Sequence, residues 1–317
     1  MSVVTVRCGD RRWSRTEAAL RIGLITPIVL LLPRAHNEWE IDASVDDLIA
    51  VAQAADRLGY HHLTASEHVA VPVDVEARRG QRYWDALSTL AWLGARTERV
   101  RLQTNMIVLG YHHPLEIVKH YGTLDRLSNG RLILGVGVGS LREEFALLGK
   151  EFEGRGERAD DALRAIRAVW GEPEPRYSGT HYSFDGVVVD PSGMPNPPPI
   201  WVGGRTQRSL RRAVELGDAW VPFLLGHEEV AAMLARAGDT EAWEARGTPL
   251  DVVLWPEPVL DVLADPDAVR EQAAVHLEAG ANILNYRFTS DSLSHYLEQM
   301  EALTEILGFD WDRPPAR

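Results

Sequence analysis

The chain has 317 residues, 45% hydrophobic and 25% charged, with a formal net charge of −13 at pH 7. The acidic balance, with basic residues scattered rather than gathered in a stripe, excludes a nucleic-acid surface, and no apolar run reaches the roughly 18 residues of a membrane-spanning helix. The single Cys8 excludes an internal disulfide and fits a protein of the reducing cytoplasm.

Residues 1–20 are polar and unpatterned and read as a flexible tail, leaving 21–317 as a single domain. From Arg21 onward, short β-branched runs alternate with longer amphipathic segments, the pattern of βα units around a parallel sheet. The runs are RIGLITPI (21–28), HHLTAS (61–66), VRLQTNMIV (100–108), RLILGVG (131–137), PIWVGG (199–204), DAWVPF (218–223), LDVVLWPEPV (250–259) and ANILNYRF (281–288). Between them lie segments with helix ends. Ser44 caps VDDLIAVAQAADRL with Asp47 three residues on, and Gly59 stops it. Pro114 opens LEIVKHYGTLDRLS, closed by Asn129-Gly130, and DPDAVREQAAVHLEAG (265–280) follows the same logic. Eight strands each followed by a helix predict a (β/α)8 TIM barrel. An insertion at about 140–198, between strands 4 and 5, is expected to add a helix (GRGERADDALRAIRAVW) and a small hairpin lying over the barrel mouth.

The stretch from Arg11 to Pro33 has a rival reading. Paired arginines before an apolar run resemble an export signal. However, Arg21 interrupts the run, Pro27 sits inside it, and no small-x-small cleavage site follows. Cleavage would also remove the first strand and leave an open barrel edge with unpaired backbone groups. The strand reading is adopted, with a cytoplasmic location.

Candidate site residues cluster where barrel strands end, the end at which this fold does its chemistry. LGVGVGS (134–140) brings Gly137, Gly139 and Ser140 to a strand-to-helix turn, where glycines let backbone N–H groups approach a ligand. A tight turn without a ligand and a Rossmann loop are the alternatives. The latter needs G-x-G-x-x-G at the start of a doubly wound domain, whereas this is G-x-G-x-G in the fourth of eight units. In WVGGRT, Gly203 and Gly204 precede Arg205, a charged donor, and Thr206, placed to cap QRSLRRAVELG. Anions favour such helix starts. SEHV puts Glu67 and His68 at the end of strand 2, a carboxylate beside a histidine able to exchange protons near neutral pH. His112 and His113 follow strand 3, and Tyr286 and Arg287 end strand 8, where they are candidates to line a substrate entrance. No H-x-H pair stands in the first strand and no H-E-x-x-H or G-x-S-x-G occurs, so neither a metal nor a serine nucleophile is expected.

HHLTASEHV, TERVRLQTNMIVLGYHHPLEIVKHYGTLDRLSNGRLILGVGVGS, EEFALLG and PIWVGGRTQRSLRRAVELGDAW together resemble the luciferase-like monooxygenase superfamily, in its branch using the deazaflavin coenzyme F420. The resemblance implies the same barrel with an insertion at its mouth. It also implies a non-prolyl cis peptide at Asn105–Met106, with Thr104, Asn105 and Met106 against the cofactor. Glu67 contacts the cofactor and His68 lies beside its ring. The implied activity is hydride transfer between deazaflavin and a small organic or modified-peptide substrate, as in reduction of a polarised double bond. A flavin mononucleotide (FMN) monooxygenase on the same fold and a barrel that binds without turnover are the rivals. Sugar-phosphate-oxidising relatives carry a glutamate and a tryptophan where this chain has Ser140 and Pro72, which puts that reaction in doubt. The family's habit of pairing, and the apolar segments WDALSTLAWLGAR and LEIVKHYGTLDRL, imply a homodimer.

Overall fold

The computed structural model describes residues 20–33 and 35–308. The expected tail therefore lies almost wholly outside the described residues, as does Cys8. All eight sequence-predicted runs form strands: β1 Arg21–Leu24, β2 His62–Ala65, β3 Arg101–Thr104 resuming at Ile107–Val108, β4 Leu132–Gly137, β5 Ile200–Gly203, β6 Ala219–Val221, β7 Asp251–Leu254 and β8 Ile283–Tyr286. Each pairs in parallel with the next, and β8 returns to β1 with Arg21 opposite Ile283, so the sheet closes. The fold is a (β/α)8 barrel.

Alternation along the strands sorts the side chains into two layers. Ile133, Trp201, Ala219, Val221, Val253 and Ile283 form a cluster of their own inside the barrel. Leu134, Val202, Trp220, Val252 and Leu284, one position over, join the larger core beneath the helices. Those helices are α1 Val45–Leu58, α2 Ala86–Gly94, α3 Pro114–Leu127, α4 Arg142–Leu147, α5 Arg155–Val169, α6 Gln207–Leu216, α7 His227–Gly238, α8 Pro266–Glu278 and α9 Leu293–Leu307. The ends expected for α1 are present: the Ser44 hydroxyl accepts from Asp47 N–H, the Asp47 carboxylate accepts from Ser44 N–H, and Gly59 has φ 76°.

One expectation is corrected. The first strand is shorter than RIGLITPI. Pro27 has no N–H to give a ladder, and Ile28 N–H donates to the Glu40 carboxylate at 2.9 Å, so the chain turns away after Leu24. The apolar run continues as a buried loop in which Ile25, Ile28, Val29, Leu30 and Leu31 are all covered. The insertion forms the expected hairpin, Tyr177–Ser178 with Ser183–Phe184, and its Tyr182 and Phe184 rings face His113 in the loop after β3. Asp161 of α5 accepts from Tyr177 OH and from the backbone of His181 and Tyr182, and the returning chain packs on α3 through Lys119, Arg126 and Asp125. A buried carboxylate offering several acceptor sites holds the hairpin down.

Candidate active site

At the carboxyl end of the barrel, the loops after β2, β3 and β4 are tied together by two carboxylates. Glu67, just past β2, accepts from Val108 N–H at 2.6 Å through one oxygen and lies 2.7 Å from His112 Nε2 through the other. Glu144, in α4, is fully buried. One of its oxygens accepts from Val69 N–H at 2.6 Å and Ala70 N–H at 3.2 Å, and the other accepts from Tyr111 OH at 2.8 Å and lies 2.7 Å from His68 Nδ1. Neighbours in sequence thus have different partners: Glu67 does not touch His68, and the carboxylate that does comes from the far side of β4. The sequence reading paired Glu67 with His68. Successive residues leaving a strand point opposite ways, which sends the two side chains to different loops.

The electrostatics follow from these contacts. Burial pushes the Glu144 carboxyl up, but the hydrogen bonds from His68, Tyr111 and Ala70 N–H outweigh it and hold the group below the usual carboxylate range. Burial pushes His112 down, yet the hydrogen bond and charge of Glu67 prevail and hold the imidazole above its ordinary value. Tyr111 is pushed up by burial and by Glu144, so its hydroxyl stays protonated and remains a donor.

Opposite these loops lies the break in β3. The Asn105–Met106 peptide is cis, as the resemblance implies. Ser66 Oγ donates to the Asn105 carbonyl at 2.7 Å, which ties the end of β2 to this break and puts His68 and Asn105 at one opening. Asn105 Oδ1 accepts from Gln103 at 3.3 Å, while its Nδ2 is buried without a protein partner. Thr104 is turned away: its hydroxyl is spent on the N–H and carbonyl of Gly135. Met106 reaches under β5, where a Cβ on Gly203 would sit 2.8 Å from its Cγ.

The glycines therefore divide. Gly203 makes room for Met106, and Gly139, at φ +78°, for Phe145, whose ring a Cβ would meet at 2.5 Å. Packing by itself requires glycine at these two positions. A Cβ on Gly137 would meet Met106 only at an ordinary 3.6 Å, so that backbone is bare for some other reason. Gly204, with φ +139°, turns the chain into α6, which Thr206 caps by accepting from Ser209 N–H. Arg205 is exposed, its guanidinium 5.9 Å from the Phe223 ring centre. Ser140 Oγ accepts from Arg79 at 3.0 Å, a strap from the β2 loop to the β4 loop.

The remaining candidates stand apart. His113 is exposed, caps α3 by accepting from Leu115 N–H, and faces Tyr182 and Phe184 of the hairpin. Tyr286 falls with the outward residues of β8 and lies buried in the core beneath the helices. Arg287 is buried and ion-paired through Nη2 to Glu40, which also accepts from Asn37, while its Nε and Nη1 have no protein partner. The structure places Glu67, His68, Asn105, Met106, Gly137, Ser140, His112 and Arg205 at the carboxyl ends of β2 to β5, with Glu67 in contact with His112 and Met106 beside Gly137 and Gly203.

A planar, acceptor-rich ring with an anionic tail fits what is present. Asn105 Nδ2 is a buried donor without a partner, and Arg205 stands with free backbone N–H groups at the start of α6. Among the described residues no group of three or more His, Cys, Asp or Glu side chains could hold a metal ion, and no helix is long and apolar enough to cross a membrane.

Comparison with known proteins agrees with this geometry. The oxygenase component of a flavin-dependent trigonelline monooxygenase from Acinetobacter baylyi is 29% identical over 194 residues, 60% of this chain and 52% of its own length. An F420-dependent glucose-6-phosphate dehydrogenase from Amycolatopsis mediterranei is 32% identical over 166 residues, 50% of this chain and 48% of its own. The alignments thus span about half of each of these relatives. The crystal structure of the monooxygenase RslO1 from Streptomyces bottropensis shares the fold, with a TM-score of 0.74 at 23% identity over 91% of this chain and 98% of that one. Residues 21–315 match the luciferase-like monooxygenases as a family, and the chain belongs to that family of oxidoreductases.

Proposed function

We propose that the protein is an F420-dependent oxidoreductase that moves a hydride between the deazaflavin and a small organic or modified-peptide substrate, reducing a polarised double bond. The observation that carries this reading is the placement of His68, held through Nδ1 by a fully buried carboxylate, at the same opening as the unpartnered Asn105 amide. When bound, the deazaflavin supplies two-electron hydride chemistry. Asn105, the backbone at Gly137, Arg205 and the start of α6 would hold it. His68 delivers or accepts the proton that accompanies the hydride, so that hydride and proton together saturate the double bond. Arg79 ties the loop after β2 to Ser140 in the loop after β4.

A second reading, an FMN-dependent monooxygenase, is favoured by the flavin-dependent relative from Acinetobacter baylyi. Titration of the purified protein with F420 and with FMN, each followed by fluorescence, separates the two. F420 is expected to bind at least tenfold more tightly. The opposite order supports the monooxygenase, and binding of neither cofactor removes both readings.

The cytoplasmic location belongs to the same proposal, as does a homodimer through the α2 and α3 side of the barrel. Trp92 of α2 and Leu127 of α3 are exposed there at 45% and 75%. Light scattering at micromolar concentration is expected to report twice the 35.3 kDa chain mass.

A further inference from the structure

We infer that Glu144 is the positioning residue of proton exchange: its carboxylate fixes His68 with a hydrogen on Nδ1 and leaves Nε2 as the atom that exchanges protons at the barrel mouth. The inference rests on the proton role proposed above for His68.

The argument is one of donors and acceptors. An ionised carboxylate only accepts hydrogen bonds, so the 2.7 Å contact between Glu144 and His68 Nδ1 requires the hydrogen on Nδ1. In the neutral ring Nε2 is then the lone-pair atom, and in the charged ring it is the acid. Glu144 has little freedom to do otherwise. Val69 N–H and Ala70 N–H hold one oxygen and Tyr111 OH shares the other, so the group is clamped by the β2 loop, the β3 loop and its own helix. The Tyr83 ring meets the His68 ring edge to face, 4.5 Å between centroids, and restricts its rotation. The other carboxylate at the mouth does not compete, because both oxygens of Glu67 are engaged by Val108 N–H and His112. Clamping the backbone at Val69 and Ala70 would need only an acceptor. Aiming the second oxygen at an imidazole nitrogen is the part that a structural clamp leaves unexplained.

Glu144→Gln separates the two roles. The amide keeps an oxygen for Val69 and Ala70 but turns an NH₂ group toward His68, which becomes the donor to Nδ1 and moves the ring hydrogen to Nε2. Nitrogen-15 spectra of the imidazoles in the wild-type protein are expected to show His68 protonated at Nδ1 when neutral, and in Glu144→Gln at Nε2. F420 affinity and melting temperature should stay close to wild type. Turnover should fall at least ~100-fold, since exchanging an orienting carboxylate for an amide reaches roughly 10⁴-fold through the wrong tautomer in serine proteases. Its pH profile should shift as well, read against the other titratable or charged groups around the ring, Tyr83, Tyr111, Glu67, His112 and Arg79. Glu144→Asp should restore the Nδ1 hydrogen in part.

A wild-type spectrum with the hydrogen on Nε2 overturns the inference even if no variant folds. So does an inverted tautomer with undiminished turnover. A failure of the underlying reading looks different: His68→Ala would then keep its turnover while the wild-type spectrum still shows Nδ1 protonated.

Discussion

The two ends of the barrel treat polar groups in opposite ways. At the amino end of the strands, Arg21 meets Asp251 through two nitrogens at 3.0 and 2.5 Å, and Asn282 adds a third donor to the same carboxylate. Just above, His61 and His62 are buried, 2.8 Å apart through their Nδ1 atoms, and burial drives His62 down to about 3, so both rings are held neutral. At the carboxyl end the histidines instead face carboxylates, Asn105 Nδ2 has no protein partner, and Arg205 has only an aromatic ring beside it. The amino end pairs its charges within the protein, although His62 Nε2 and the neighbouring Asn285 amide have no partner, whereas the carboxyl end leaves a guanidinium exposed and an amide donor open, the end at which this fold does its chemistry.

The sharpest way to break that comparison is at His68. His68→Ala is expected to lower turnover by roughly 10²–10⁴-fold while cofactor affinity changes little, as for a lost general acid or base. Near-normal turnover across pH would move the proton to His112 or to water.

Next in size is a matched pair of substitutions, one at each end. Arg205→Ala removes an exposed charged donor and should weaken F420 binding by roughly 10- to 100-fold, the range of a charge-assisted hydrogen bond, with no change in melting temperature. Asp251→Ala should do the reverse, lowering the melting temperature by roughly 2–8 °C and leaving cofactor affinity alone. If either variant moves the other's readout, the two ends are not independent.

The smallest effect is in pH. The folded-state value of His62 lies below its unfolded value of about 6.5, so the unfolded chain binds a proton that the folded chain refuses. Stability should decline progressively as pH falls from about 6.5 toward about 3. His112 has the opposite sign. Its raised value stabilises the fold below the ordinary histidine range, and that contribution disappears as pH rises through the raised value. Calorimetric scans of wild type and His112→Gln should therefore diverge on the acid side and converge above neutrality. Curves that stay parallel would deny His112 its partner.

How far the site was legible in the sequence differs residue by residue. His68 and Asn105 stood out because each is a polar residue at the end of an apolar strand. Glu144 was missed, although a signal exists. Leu141 and Phe145, with the half-buried Leu148, make the apolar stripe of a short helical segment, and Glu144 falls on that same face while Glu143 is exposed. A carboxylate on an apolar stripe must have a partner. Tyr286 and Arg287 were drawn toward the site by position along the strand, and Thr104 by the family resemblance. The Thr104 hydroxyl goes to Gly135, Tyr286 to the helix-side core and one Arg287 nitrogen to Glu40, because side-chain direction alternates and the end of a strand serves two layers.

The sequence by itself determined the eight strand runs and the helix starts at Ser44, Pro114 and Thr206. All of these rest on periodicities and caps that operate within a few residues. Only the tertiary structure decided which carboxylate meets which histidine. His68 finds Glu144 across 76 positions and His112 finds Glu67 across 45, whereas the adjacent Glu67 and His68 never touch. It also decided that Asp161 anchors the hairpin and that Gly203 answers to Met106. Such contacts are set by the order and stagger of strands around the closed barrel. That arrangement brings loops together from distant parts of the chain, and no local pattern records it.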